Sequence, residues 1–164
     1  MTAKVRASLI EIAIALSILS LFVALASPRF LHQGRDARVS SLKDLQRAIQ
    51  GAAIIYAGKA RMNKTESLAE GVAVQGALLI ATAYGAPAAS PAGIGTAVEA
   101  DWAADLSARF VYRSQGDAFY VSPSYLFNAT PNVRAIIASD CYLVYRQRTK
   151  QRAFATFIAA DKGC

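Results

Sequence analysis

The chain is poor in the residues that most often carry chemistry. Its 164 residues include two cysteines, one histidine and one tryptophan. Cys141, Cys164 and His32 are too few for a zinc site built from several Cys and His ligands, and thin for a Cys–His nucleophile. The sequence contains no glycine-rich phosphate loop and no nucleophile elbow. It therefore predicts a protein that is not an enzyme and needs no metal or cofactor.

Acidic residues are also scarce, with 11 Asp and Glu against 18 Lys and Arg, for a formal net charge of +7. The cations are spread over the N-terminus, the stretch after Pro28 and the C-terminal tail, so no single basic block dominates. One short segment is nevertheless dense in cations: Arg146, Arg148, Lys150 and Arg152. One hypothesis is that these side chains contact the phosphates of DNA. The alternative, which we favour, is a solvated loop between strands.

What the chain has in excess is apolar sequence, at 54% of all residues. A nearly unbroken apolar run extends from Leu9 to Ser27 and contains one carboxylate, Glu11. As a helix this run would span roughly 28 Å, about one bilayer core. Lys4 and Arg6 precede it and would hold the N-terminus in the cytoplasm. The run can be a cleaved secretory signal, a permanent membrane anchor, or a segment that remains after a short basic leader is removed. Only the last gives Glu11 a function.

The residues around Glu11 carry a family resemblance. Leu9-Ile10-Glu11, the apolar run and then Ser27-Pro28-Arg29-Phe30 resemble the N-terminus of type IV pilins. The resemblance implies that a prepilin peptidase removes residues 1–6 by cutting between Arg6 and Ala7, and that Ala7 is then methylated. It also implies that Glu11 pairs with the N-terminal amine of a neighbouring subunit during filament assembly. At this site Arg6 and Ala7 replace the glycine and phenylalanine of the family. Cleavage after Ala7, instead of between Arg6 and Ala7, is therefore the alternative.

A second half of the helix is expected downstream of Pro28, which bends a helix without forcing it to end. Apolar residues recur there at three- and four-residue spacing, which predicts one buried face of an amphipathic helix. They are Leu42, Leu45, Ile49, Ala52, Ala53 and Tyr56. Gly58 and the polar residues after it should end the helix. The segments are thus a leader at 1–6, an apolar helix at 7–28, its amphipathic continuation at 29–60 and a globular head at 61–164.

The amphipathic segment narrows the resemblance to one subgroup. Residues 27–60 resemble the pilins of mannose-sensitive haemagglutinin type, in which a similar P-[KR]-F-L and D-A-R run follows the apolar segment. The loop over residues 83–95 resembles the same subgroup's exit from its first head strand.

The head is predicted to be rich in β-structure. A first strand is expected within Val72–Ala83, and a hairpin over Phe110–Val121 with glycine in its turn. Further strands are expected at Val133–Ala138, Tyr142–Arg146 and Arg152–Ile158, and a short surface helix carrying Trp102 at Gly95–Leu106. The predicted fold is α+β: a long N-terminal helix packed on an antiparallel sheet of four or five strands.

Cys141 and Cys164 are expected to form one disulfide, because both follow the apolar run on the non-cytoplasmic side. The pilin resemblance also implies a C-terminal disulfide loop, and two free thiols are the alternative. Asn63 and Asn128 begin glycosylation triplets, which arise often by chance and carry no prediction.

Three functions follow from these patterns. The first is a major or minor pilin, whose N-terminal helices form a filament core and whose heads serve surface attachment. It would interact with copies of itself, with prepilin peptidase and with the inner-membrane assembly machinery, and would pass from the inner membrane to an extracellular pilus. The alternatives are a pseudopilin of a type II secretion-like machine and a signal-anchored periplasmic binding domain.

Overall fold

The computed structural model describes residues 9–164 of the chain, and the side chains of residues 11–20 and 34–164. The chain divides into two compact units, Met1–Arg38 and Val39–Cys164. The fold is α+β, with two α-helices and two sheets in the described part. The first helix, α1, comprises Leu9–Met62.

The predicted apolar face of α1 is confirmed. All six residues named for it are buried, and Ile49 and Tyr56 are almost completely inaccessible, at 0% and 1% exposure. They join one hydrophobic core with side chains of the head such as Ile80, Phe119 and Leu143. The helix ends at Met62 and not at Gly58, because Ala60, four residues after Tyr56, extends the buried face by another turn.

The first sheet contains three antiparallel strands in the order β1-β2-β3. These are β1 at Gly71–Gln75, β2 at Leu78–Ala83 and β3 at Ala86–Pro87. The sequence predicted one strand within Val72–Ala83, whereas the structure folds this run into a hairpin. The turn is possible because Gly76 adopts a φ of +60°, which glycine reaches without steric cost.

The second sheet contains five strands in the order β4-β5-β6-β7-β8. They are β4 at Trp102–Ala103, β5 at Phe110–Gln115, β6 at Ala118–Pro123, β7 at Tyr142–Arg146 and β8 at Thr156–Ala160. Strands β5 to β8 pair antiparallel, which confirms the predicted hairpin and the strand at 142–146. β4 pairs parallel with β5, which the sequence did not predict. The last strand begins at Thr156, four residues later than expected.

The predicted strand at Val133–Ala138 is wrong, because these residues form helix α2. Its β-branched residues favoured a strand, but Asn132 acts as a helix N-cap. The Asn132 side-chain oxygen accepts a hydrogen bond from the backbone N–H of Ala135 at 2.9 Å. Ile136 then turns into the core and is completely buried.

The predicted surface helix at Gly95–Leu106 is also wrong over most of its length. A π-helical turn occupies Pro91–Gly95, and the chain then extends into β4. Trp102 accounts for the extended backbone: its indole N–H donates to the carbonyl oxygen of Gly95 at 3.2 Å, and its ring meets Phe119 edge-on at 5.6 Å.

Within the described part of the chain, no helix has an apolar stretch long enough to cross a membrane. The predicted apolar segment at 7–28 lies partly outside the described side chains, at residues 7–10 and 21–28. Arg6 and Ala7 lie outside the described residues, and Pro28 and His32 are described only as backbone within α1.

Candidate functional site

The C-terminus is closed by a disulfide between Cys141 and Cys164, as the sequence predicts. Their Cα atoms are 4.9 Å apart, and both residues are buried. The loop that the bond closes contains β7 and β8, which pair with each other. The bond therefore ties the end of the chain, after β8, to the residue just before β7. The buried hydroxyl of Ser122 donates to the carbonyl oxygen of Cys141 at 2.6 Å and joins this corner to β6.

A glycine makes the closure possible. The backbone N–H of Gly163 donates to the carbonyl oxygen of Asp140 at 2.9 Å. A Cβ atom at Gly163 would lie 1.9 Å from the carbonyl oxygen of Ser139, far inside van der Waals contact. Only glycine therefore lets the last residues approach this backbone closely enough for Cys164 to reach Cys141.

The four cations of the basic segment differ in their partners and in their exposure. Arg152 forms an ion pair with Asp117, with Nη1 and Oδ2 separated by 2.6 Å. The same guanidinium nitrogen donates to the carbonyl oxygen of Gln147 at 3.1 Å. The hydrogen bond from Arg152 to the Asp117 carboxylate, together with the charge of Arg152, lowers the pKa of Asp117 below its ordinary value. Arg152 thus holds its loop against the β5–β6 turn.

The other three cations differ in exposure. Arg146 and Arg148 are partly buried, and Lys150 is exposed. Among the described residues, the Nε atoms of Arg146 and Arg148 are buried without a hydrogen-bond partner. Tyr145, which precedes Arg146 in β7, is completely buried, and its hydroxyl donates to the carbonyl oxygen of Pro87 at 2.6 Å.

Arg148 lies in a groove of about 510 Å³ between the last turns of α1 and the segment before β8. Apolar side chains form most of its wall, and Arg61 is its second cation; none of the described residues that line it is acidic. We refer to this site as the arginine groove, defined by Ile54, Ala57, Arg61, Arg148, Phe154 and Phe157. Ile54 and Phe154 are both 73% exposed.

This groove was not predicted from the sequence. One signal was available: Ile54 and Ile55 lie beside the predicted buried face of α1 and not on it, and both are exposed. A large apolar residue off the core face of a helix is one mark of a contact surface.

The β1–β2 hairpin presents a second exposed apolar surface. Val74 and Leu79 are directly opposite each other in the ladder, so their side chains share one face, and Val72 lies on it two residues before Val74. These three residues are 62%, 67% and 64% exposed respectively. Glu70, also exposed, lies in the bend just before β1 and lines a shallow pocket together with Val72. We refer to Glu70, Val72, Val74 and Leu79 as the hairpin face.

The N-terminal unit also exposes apolar side chains, on a helix and not in a groove or on a hairpin. Residues 11–20 of α1 are all exposed, including Ile12, Ile14, Leu16, Ile18 and Leu19. The hydroxyls of both serines in segment 11–20 are hydrogen-bonded within the helix. Ser17, for example, donates to the carbonyl oxygen of Ala13 at 2.8 Å. Glu11 is the only ionisable side chain of this segment.

No group of three or more His, Cys, Asp or Glu residues in the described part of the chain is arranged to hold a metal ion. No protein-family model matches the chain, and no curated protein or solved structure matches it either.

Proposed function

We propose that the protein is a structural subunit of a filament of the type IV pilus kind, assembled through its N-terminal helix. The observation that carries the proposal is the exposed segment 11–20, which is helical, apolar on all sides and interrupted by one acid, Glu11. A helix that is apolar all round requires an apolar environment, either lipid or other helices. A bundle of identical helices supplies that environment and keeps every backbone group hydrogen-bonded.

Glu11 is what favours assembly over simple anchoring. A carboxylate in an apolar environment costs several kcal/mol unless a cation meets it. In a filament the N-terminal amine of the next subunit would supply that cation, after cleavage between Arg6 and Ala7 or, alternatively, after Ala7. The pairing would also select one axial register, because a subunit displaced by one step would leave its charge without a partner.

The head fits the role of a displayed module. One face of the amphipathic part of α1 is buried in the core of the head, and the disulfide closes the C-terminal end. A single bond over this loop gives a secreted domain stability that does not depend on partners. Before assembly the protein would reside in the inner membrane, and afterwards on the cell surface, where its head would serve attachment.

The test is the replacement of Glu11. In a host that supplies pilus-assembly machinery, Glu11→Ala should remove the chain from the fraction sheared off the cell surface. Ser17→Ala, a change in the same exposed segment, is the matched control and should leave the sheared yield at the wild-type level. Equal yields from Glu11→Ala and wild type would contradict the proposal and favour the anchored binding domain.

Intact mass of the sheared chain completes the test. A chain that begins at methylated Ala7, or at Ser8, and is two hydrogens short for the Cys141–Cys164 bond is the expected product. Full-length protein confined to the membrane fraction would contradict processing. Processed chains that prime secretion without long fibres would identify a pseudopilin.

A further inference from the structure

The head carries two exposed apolar surfaces of opposite charge, the arginine groove and the hairpin face. The groove is lined by Arg61 and Arg148 together with exposed Ile54 and Phe154, and its lining includes no acid from the part of the chain that the structure describes. On the hairpin face, Glu70 accompanies three exposed apolar side chains. The high exposure of both sets means that neither surface is covered by the other within one chain.

We propose that the arginine groove of one copy receives the hairpin face of a second copy. The apolar side chains of the hairpin would fill the groove, and Glu70 would meet the cations of Arg61 and Arg148. This proposal rests on the proposed function and adds to it a head-to-head contact and the residues that form it.

Charge complementarity selects a second copy as the occupant. A groove with two cations and no lining acid requires a partner that combines apolar surface with negative charge. In a chain with 11 acidic and 18 basic residues, the hairpin face offers that combination.

The two surfaces are different parts of the molecule, which fixes the kind of assembly they can build. A contact between unlike surfaces leaves one of each exposed at the ends of any pair, so further copies add in the same way. Such a contact builds a ring if the rotation closes and a helical filament if it does not. It therefore supports the polymer that the N-terminal helix is proposed to form.

The experiment is a cysteine cross-link in filaments sheared from cells that express the full-length chain. Leu79→Cys and Phe154→Cys are combined in one chain, and the filaments are oxidised and run on a non-reducing gel. The double variant should give a ladder of multimers, because each copy links to the next through unlike surfaces. Each single variant should give no ladder, since one cysteine per chain cannot link more than two copies.

A matched control replaces Phe154→Cys with Ile137→Cys, an exposed position on α2 that belongs to neither surface. It should give no ladder in combination with Leu79→Cys. In the cross-linking background, Glu70→Arg or Arg148→Glu alone should lower the cross-linked fraction roughly fivefold, because like charges then meet. The two changes together should restore it, and the Cys141–Cys164 bond, verified by mass, reports that the head is folded.

The outcomes separate this proposal from the one on which it rests. Filaments that form without a ladder, or charge changes without effect, overturn the head contact and leave the filament function standing. The groove would then be open to another occupant, such as a small amphiphilic anion. Absence of filaments from the wild-type chain overturns both proposals.

Discussion

The hydroxyl of Tyr145 donates a hydrogen bond to the carbonyl oxygen of Pro87, at 2.6 Å and out of contact with solvent. Tyr145 belongs to β7 in the five-stranded sheet and Pro87 to β3 in the three-stranded sheet. Next to it, the side-chain oxygen of Gln147 accepts from the backbone N–H of Ala89 at 2.6 Å. These contacts tie the C-terminal strands, which the disulfide also restrains, to the hairpin sheet.

Tyr145→Phe should lower the free energy of unfolding by about 1–2 kcal/mol, because it leaves the Pro87 carbonyl oxygen without this donor while preserving the ring. Urea unfolding of the full-length chain in detergent measures the change. Tyr142→Phe, on the same strand but only partly buried, is the control and should change stability by less. An equal effect of the two substitutions would contradict a structural role for the Tyr145 hydrogen bond.

Stability should also fall at alkaline pH, with Tyr145 as one cause. Burial raises the pKa of Tyr145 above its ordinary value of 10.0, although the charge of Arg148 opposes the rise. In the folded chain the hydroxyl keeps its proton to higher pH than in the unfolded chain. The contribution of Tyr145 to the free energy of unfolding is complete below its ordinary pKa. It is lost as the pH rises through the raised pKa. Thermal unfolding between about pH 9 and 11 should show a shallower decline for Tyr145→Phe than for wild type.

The Asp117–Arg152 ion pair predicts a smaller loss of stability at acidic pH. Because Arg152 lowers the pKa of Asp117, the contribution of this carboxylate is present above its ordinary pKa and is lost as the pH falls through the lowered one. The pair is partly exposed, so Asp117→Asn should cost at most about 1 kcal/mol at neutral pH. The difference from wild type should vanish in acid, whereas a constant difference down to about pH 2 would contradict this assignment.

Removal of the disulfide should have the largest effect. Cys141→Ser with Cys164→Ser should lower the free energy of unfolding by about 3 kcal/mol, because the unfolded chain regains the entropy of a 23-residue loop. Reduction of the wild-type chain should give a similar loss, measured by the same unfolding assay. Reduction should not alter the stability of the double variant, which serves as the control for side effects of the reductant.

Two glycines should respond in opposite ways to alanine. Gly163→Ala places a Cβ against the carbonyl oxygen of Ser139, so it should destabilise the head and hinder formation of the Cys141–Cys164 bond. Gly58→Ala meets no atom within 4 Å in an exposed turn of α1, so it should stabilise the helix by up to about 1 kcal/mol. Unfolding midpoints and the fraction of free thiol measure both effects. A tolerated Gly163→Ala would contradict the close approach.

The parts of the fold that follow from local sequence were predicted correctly. The face of α1 that includes Leu42, Ile49 and Tyr56 could be read directly, because a helix brings residues three and four apart to one side. The hairpin of β5 and β6 could be read from apolar residues on both sides of a glycine turn. The disulfide could be predicted because the chain contains only two cysteines and both were expected to lie in an oxidising compartment.

The mispredicted parts are those in which a local preference gave way to a capping or tertiary contact. Val133–Ala138 has the composition of a strand, and its helix depends on the cap from Asn132. Trp102 lies in a segment of helical composition, but its ring packs on Phe119 and its backbone joins the sheet. Hydrophobic periodicity and amino-acid composition do not indicate which residues make these contacts.

The sequence by itself determined that the chain has an apolar N-terminal segment with Glu11 in it, an amphipathic helix and one cysteine pair. Only the tertiary structure decided which cations are available to a partner, since Arg152 forms an ion pair with Asp117, which is 35 residues away in the chain. It also decided that Ile54 and Phe154 line one groove, although they are far apart in the chain. The physical reason is range: helix faces and turns arise between neighbours in sequence, whereas grooves and ion pairs of this kind exist only after distant segments have packed together.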